Sequence, residues 1–123
     1  MLPLVERLRA NSRFQQVFAE GQGFGDGKSG CVVVHLLRRP DADERQCGFA
    51  VGKKVGNAVM RNQVKRRLRE AYRALLPRLP HGYWLVVVAR GKAAGVEQAG
   101  LARALEAAIV RAGLLDPSGG RLP

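Results

Sequence analysis

The segment from Gly52 to Arg73 restricts the possible folds of this chain more than any other. It carries eight basic residues, Lys53, Lys54, Arg61, Lys65, Arg66, Arg67, Arg69 and Arg73, against one acid, Glu70. On a helix turning about 100° per residue, Val64, Leu68, Ala71, Tyr72 and Leu75 gather into one apolar arc, and Asn62, Lys65, Arg66, Arg69 and Arg73 gather beside it. The first arc has to be buried and the second has to stay wet, so such a helix lies along a packed layer. Gly56-Asn57 supplies a turn and an N-cap in front of it and Pro77 a stop behind it, which predicts a helix from Ala58 to Leu76.

The neighbours of that helix predict what it packs on. Cys31 to Leu37, Cys47 to Gly52 and Tyr83 to Arg90 read as strands, the first and third strongly β-branched. Upstream, Ser12 caps a helix from Arg13 to Glu20 that Gly21 ends in the left-handed conformation, with Phe14, Val17 and Phe18 on one face. The five glycines from Gly21 to Gly30 read as a flexible turn region. Pro40 to Glu44, with Asp41, Asp43 and Glu44, reads as a solvated hairpin connection. Glu97 to Ala112 is a second long helix with Leu101, Leu105, Ala108 and Ile109 on one face. A chain of 123 residues that is 46% hydrophobic can fill one core. The alternation of helix and strand therefore predicts an α/β two-layer sandwich, a single domain over residues 1–115 followed by a tail over 116–123.

The charge balance points to the partner. Lys and Arg outnumber Asp and Glu by 21 to 10, a net charge of +11, and such a field calls for a polyanion. A charged helix face is more often solvated and laced with acid–base pairs at i, i+4, but here Lys65 with Arg69 and Arg69 with Arg73 are like pairs that repel. Phosphate reverses that cost, and at about 1.5 Å per residue the helix is close to 30 Å long, enough to follow several phosphates. Lys53 and Lys54 stand before its N-terminus, where free N–H groups already attract anions. The apolar runs Cys31–Leu37 and Trp84–Ala89 are too short to span a bilayer and the start shows no secretory pattern, so a cytoplasmic protein without membrane contact is expected. Cys31 and Cys47 are then expected as thiols. His35 and His81 stand outside any metal-ligand spacing, so no metal is expected on the protein. Gly25-Asp26-Gly27-Lys28-Ser29-Gly30 fits a glycine-rich nucleotide pattern in letters only, because it follows a helix and enters a strand. The acids are scattered, so no catalytic residue is expected in the chain.

The run Phe49-Ala-Val-Gly-Lys-Lys-Val-Gly-Asn-Ala-Val-Met-Arg-Asn-Gln-Val-Lys-Arg-Arg-Leu-Arg-Glu-Ala-Tyr-Arg73 closely resembles the signature of the bacterial ribonuclease P protein family. Arg13-Phe14-x-x-Val17-Phe18-x-x-Gly21 and Tyr83-Trp-Leu-Val-Val-Val-Ala-Arg90 match the same family in the same order. The resemblance implies the order α-β-β-β-α-β-α, similar to a ribosomal protein domain, with a left-handed crossover through the basic helix against the general right-handed preference. It also implies a division of labour. An RNA subunit with its Mg²⁺ ions cuts the 5′ leader from precursor tRNA, and the protein, one per RNA and holding no cofactor itself, steadies that RNA and grips the leader. In such proteins a cleft between the basic helix and the sheet holds the leader, and the matching positions are Phe14, Phe18, His35, Arg61, Asn62, Lys65 and Arg69. Lys53, Lys54, Arg66 and Arg67 match the set facing the RNA subunit.

Two positions depart from the pattern. Gln63 stands where the family has the second arginine of Arg-Asn-Arg, a loss that Arg67, one turn on, is placed to make good. His35 stands where a leader-facing aromatic, often Tyr, is usual. The alternative is a ribosomal protein or general RNA chaperone with no enzymatic partner, and the RNA that copurifies would separate the two.

Overall fold

The computed structural model describes residues 11–27, 29–41 and 43–116; the expected tail, Asp116 apart, lies outside them. Among these residues the order is α1 (Asn11–Glu20), β1 (Gln22–Gly25), β2 (Val32–Arg38), β3 (Arg45–Val51), α2 (Ala58–Leu75), β4 (Tyr83–Ala89) and α3 (Gln98–Arg111). The strands form one sheet in the order β1-β2-β4-β3. β1 with β2 and β2 with β4 are antiparallel, and β3 with β4 is parallel, joined by the crossover through α2. β4 reads as an unbroken apolar run because it is a central strand, buried on both faces along nearly its whole length.

Strand alternation assigns the two faces. Val32, Val34, Leu36, Cys47, Tyr83, Leu85, Val87 and Ala89 share one core with Val64, Leu68, Ala71, Tyr72 and Leu75 of α2 and Leu101, Leu105, Ala108 and Ile109 of α3. Both apolar arcs expected of the two long helices are thus buried, and sheet plus α2 and α3 make the sandwich. The opposite face carries a smaller cluster, Val17, Trp84 and Val86 with Phe14, Leu37, Ala50 and Val88, under α1. The start of α2 is as expected: Asn57 accepts from the Met60 N–H at 2.9 Å, and Gly56 has a φ of 147°.

Several local expectations give way to longer-range packing. The glycine-rich stretch contains β1, whose pairing with β2 supplies what its composition lacks. The loop from Pro40 to Glu44 is no hairpin connection, because β4 sits between β2 and β3. Gly21 does not end α1 in a left-handed turn. It is required because a Cβ there would lie 2.5 Å from the Val17 carbonyl oxygen and 2.6 Å from that of Leu36. Ser12 lies inside α1, which starts at Asn11. Pro77 is not the end point of α2 either: the helix stops at Leu75, and Pro77 sits in a following 3₁₀ turn, Leu76–Arg78, at a position where its missing N–H costs nothing.

Candidate nucleic-acid interface

On the α1 face the strand register lays out three rows, each from β1 or β2 across to β3. Leu37, Trp84 and Gln46 form the first, Gly23, His35, Val86 and Gly48 the second, and Gly25, Val33, Val88 and Ala50 the third. Trp84, Gln46, Val86 and Gly48 are buried, whereas all four residues of the third row are half-buried. The first two rows are thus covered at their β4 and β3 positions, while Gly23 is exposed and Leu37 and His35 are half-buried, and the third row is left as an open trough along its whole width. Four strands at about 4.8 Å make it roughly 14 Å wide. Its floor is small or apolar, and Gly25 and Ala50 let a backbone come close.

The walls of the trough differ. On the α1 side stand Phe14, half-buried, and Phe18, 44% exposed, whose ring meets that of His35 edge to face at 4.9 Å. Gly23 makes room for this imidazole, since a Cβ there would lie 3.1 Å from it. Burial lowers the His35 pKa below its ordinary 6.5, so the ring is neutral at pH 7 and offers one donor and one acceptor. At the other end, where the parallel strands finish, Ala50, Gly52, Lys53, Lys54, Val88, Ala89, Arg90 and Gly91 line a pocket of about 560 Å³. Exposed cations around an apolar floor suit an unpaired nucleotide, base inward and phosphate outward.

α2 presents its cations in three directions. Asn62 and Arg66 lie on the exposed crest, where with Val59 and Gln63 they line a groove of about 380 Å³. Arg61, Lys65 and Arg69 lie on the flank towards edge strand β3, and the Arg69 guanidinium stands 5.9 Å from the Phe49 ring centre. Arg67 points to the opposite flank. It donates to the Val96 carbonyl at 2.7 Å, and its own carbonyl accepts from Gln98 at 2.9 Å, so it ties α2 to the start of α3 and does not share the crest.

The seven residues expected around one cleft are thus divided. Phe14, Phe18 and His35 are on the trough, and Arg61, Asn62, Lys65 and Arg69 are on α2, beyond the β3 edge. Among the described residues no cleft opens between the basic helix and the sheet, because the sheet-facing arc of α2 is closed by core packing; the open concave surface is the trough beside α1. Lys53 and Lys54, grouped by sequence with the crest, line the end of the trough. Arg90 joins them, a cation missed because it closes a strand instead of standing in the basic segment.

The glycine pattern from Gly25 to Gly30 is the β1–β2 turn. The buried Asp26 carboxylate accepts from the Ser29 hydroxyl and from the N–H groups of Gly30, Cys31 and Val32. These donors, which a phosphate would need, are engaged by the turn's own carboxylate. Cys31 and Cys47 are both free and buried.

A mixed α/β sandwich with an aromatic-walled trough on one face and a cationic helix beyond its edge defines a nucleic-acid-binding domain suited to unpaired strands. A family model described as Ribonuclease P matches residues 2–113. A chain named Ribonuclease P protein component from Symbiobacterium thermophilum is 42% identical over 113 residues, covering 92% of this chain and 96% of its own. One of the same name from a Nocardioides species is 43% identical over 115 residues, with 92% and 96% covered. Among solved structures, the Staphylococcus aureus RNase P protein superposes with a TM-score of 0.78 at 26% identity, covering 89% of this chain and 97% of that one. The Thermotoga maritima RNase P protein gives 0.70 at 30% identity, with 82% and 92% covered.

This chain belongs to the ribonuclease P protein family. It is a protein subunit of that endoribonuclease, works in tRNA 5′ processing, and has an RNA partner in a ribonucleoprotein. The alternative of a ribosomal protein or chaperone without an enzyme partner is set aside. No helix among the described residues is long and apolar enough to cross a membrane.

Proposed function

We propose that the trough beside α1 takes the 5′ leader of precursor tRNA as a single strand, while the crest of α2 meets the RNA subunit that cuts it. The observation that carries this reading is the uncovered third row, with Phe14, Phe18 and His35 on one side and Lys53, Lys54 and Arg90 at its end. A strand leaving the trough across Ala50 passes the β3 edge and reaches Arg61, Lys65 and Arg69, so all of the divided set except Asn62 serve one leader. Asn62 and Arg66 then face the RNA subunit, and Lys53 and Lys54 stand where the two surfaces meet.

The cutting chemistry belongs to the RNA and its Mg²⁺. On this reading the chain's own acids take no part in cutting, and the buried Asp26 carboxylate is engaged by its own turn. The reading is completed by one protein per RNA and a cytosolic setting, in keeping with two unpaired thiols.

The test is the affinity of the reconstituted complex for tRNAs with leaders of increasing length. Phe14→Ala and Arg69→Ala should weaken binding of leader-bearing tRNA and leave leaderless tRNA nearly unchanged. Equal losses for both would assign these residues to the RNA subunit or the core. RNA-free protein in Mg²⁺ should not cleave.

A further inference from the structure

We infer that Glu44, in the loop between β2 and β3, is a positioning residue that sets α1, and with it the aromatic wall of the trough, through a closed circuit of polar contacts. The inference rests on the trough being the leader site.

The circuit has four members. Arg13, near the start of α1, donates to Gln46 Oε1 at 2.7 Å. Gln46 Nε2 donates to one oxygen of Glu44 at 3.0 Å, and Trp84 Nε1 donates to the other at 3.1 Å. The Arg13 guanidinium closes the ring over Trp84, 5.0 Å from its centre, and Arg39 stacks on the same indole at 4.1 Å. Gln46 and Trp84 are 7% and 6% exposed, so Glu44, itself exposed, engages a buried pair from the surface. Glu44 is itself fixed: its carbonyl accepts from the Gly82 N–H at 2.8 Å, and the Gly82 carbonyl accepts from the Arg39 N–H at 2.7 Å. Gly82 has a φ of 85°, a conformation suited to glycine.

Chemistry gives the circuit a direction. A carboxylate only accepts, so Glu44 forces the NH₂ end of Gln46 towards itself and the carbonyl end towards Arg13, which only donates. Reversing the Gln46 amide would set donor against donor at Arg13. The acid therefore reaches α1 without touching it. α1 needs such a hold because, of its residues with described side chains, only Val17 is fully buried. Phe14 and Phe18 follow Arg13 at one and five positions along the same short helix, so the seating of Arg13 fixes how far their rings stand over the third row.

The experiment uses the full chain reconstituted with its RNA subunit and compares leader-bearing with leaderless tRNA for four variants. Glu44→Gln puts an NH₂ group where the Gln46 amide or the indole needs an acceptor, and should weaken leader-bearing tRNA about fivefold with leaderless tRNA unchanged. The exchange Glu44→Gln with Gln46→Glu returns an acceptor to every donor, Arg13 included, and should restore the affinity. Phe18→Ala reports on the leader site itself, and Trp84→Phe keeps the packing while removing the indole donor, so it should copy Glu44→Gln in part. Leader-specific loss in Glu44→Gln with rescue by the exchange supports the inference. If Phe18→Ala weakens leader binding and Glu44→Gln does not, or if the exchange fails to rescue, the positioning role is overturned while the leader site stands. If neither single variant affects leader binding, the leader site itself falls, and the inference with it.

Discussion

On the α2–α3 face, Val32, Val34, Leu36, Tyr83, Leu85, Val87 and Ala89 are all buried under two helices, whereas on the α1 face the row Gly25, Val33, Val88 and Ala50 stays half-exposed. The strands are the same, so the difference lies in the covering helices. Two helices of 18 and 14 residues close one face. The 10 residues of α1, about 15 Å long, leave room beside them on the other. Covered apolar surface holds the fold together, and apolar surface left open beside cations is available to bases. Substitutions should therefore divide by face, with stability lost on one and RNA affinity on the other.

The largest effect is expected on the covered face. Leu68→Ala empties a site that is 0% exposed and should cost about 3–4 kcal/mol of stability in urea unfolding. A cost under about 1 kcal/mol there would break the contrast.

Asp26→Asn tests the rim where β1 turns into β2. Burial alone would raise the Asp26 pKa, but the Ser29 hydroxyl and the N–H groups of Gly30, Cys31 and Val32 outweigh it and hold the carboxyl below its ordinary 3.8. Asn cannot accept all four bonds, and the cost should be about 2 kcal/mol at pH 7. With a lowered folded pKa, the carboxylate's contribution is present above the unfolded value and lost as pH falls through the folded one. The gap between wild type and Asp26→Asn should therefore narrow below pH 3.8, and a constant gap would assign the cost to shape alone.

On the open face, Phe18→Ala should leave the unfolding midpoint nearly unchanged and weaken leader-bearing tRNA by roughly 1–2 kcal/mol, one stacking contact. Loss of stability without loss of leader affinity would move Phe18 into the core.

The smallest effect is expected on the α2 crest. Gln63→Arg adds one cation beside Asn62 and Arg66 and should steepen the salt dependence of binding to the RNA subunit by about one unit. Because Arg67 is engaged with Val96, it does not make good the cation missing at position 63. Gln63→Arg and Arg67→Ala should therefore act additively, the second mainly on stability.

What could be read from the sequence follows the range of the forces involved. The arc from Val64 to Leu75, the Asn57 cap and the apolar β4 run depend on neighbours within a few residues, and all three are found as expected. β1 has no alternation to read, since Gln22-Gly-Phe-Gly becomes a strand only through its pairing with β2. The loop after β2 looks like a hairpin until β4, some 40 residues on, enters between its arms. The same distance hid the site. Helical spacing put Asn62, Lys65, Arg66, Arg69 and Arg73 on one ridge, which the structure divides between crest and flank, and it carried no information on which face of the sheet Phe14 and His35 would occupy. Glu44 looked like one of three solvated acids, because its partners lie on other strands.

The parallel pairing of β3 with β4 has a consequence for how the protein is made. β1 and β2 can pair as they emerge, yet β3 can join them only through β4, so the pocket lined by Lys53, Lys54 and Arg90 does not exist until Gly91 has been synthesised. α2 emerges before the strand that completes its support, a basic helix with its apolar arc bare. Pairing over such a sequence separation is slow to form, and polyanion at the exit site is abundant. Newly made chains thus pass through an interval in which their charge is present and their selectivity is not.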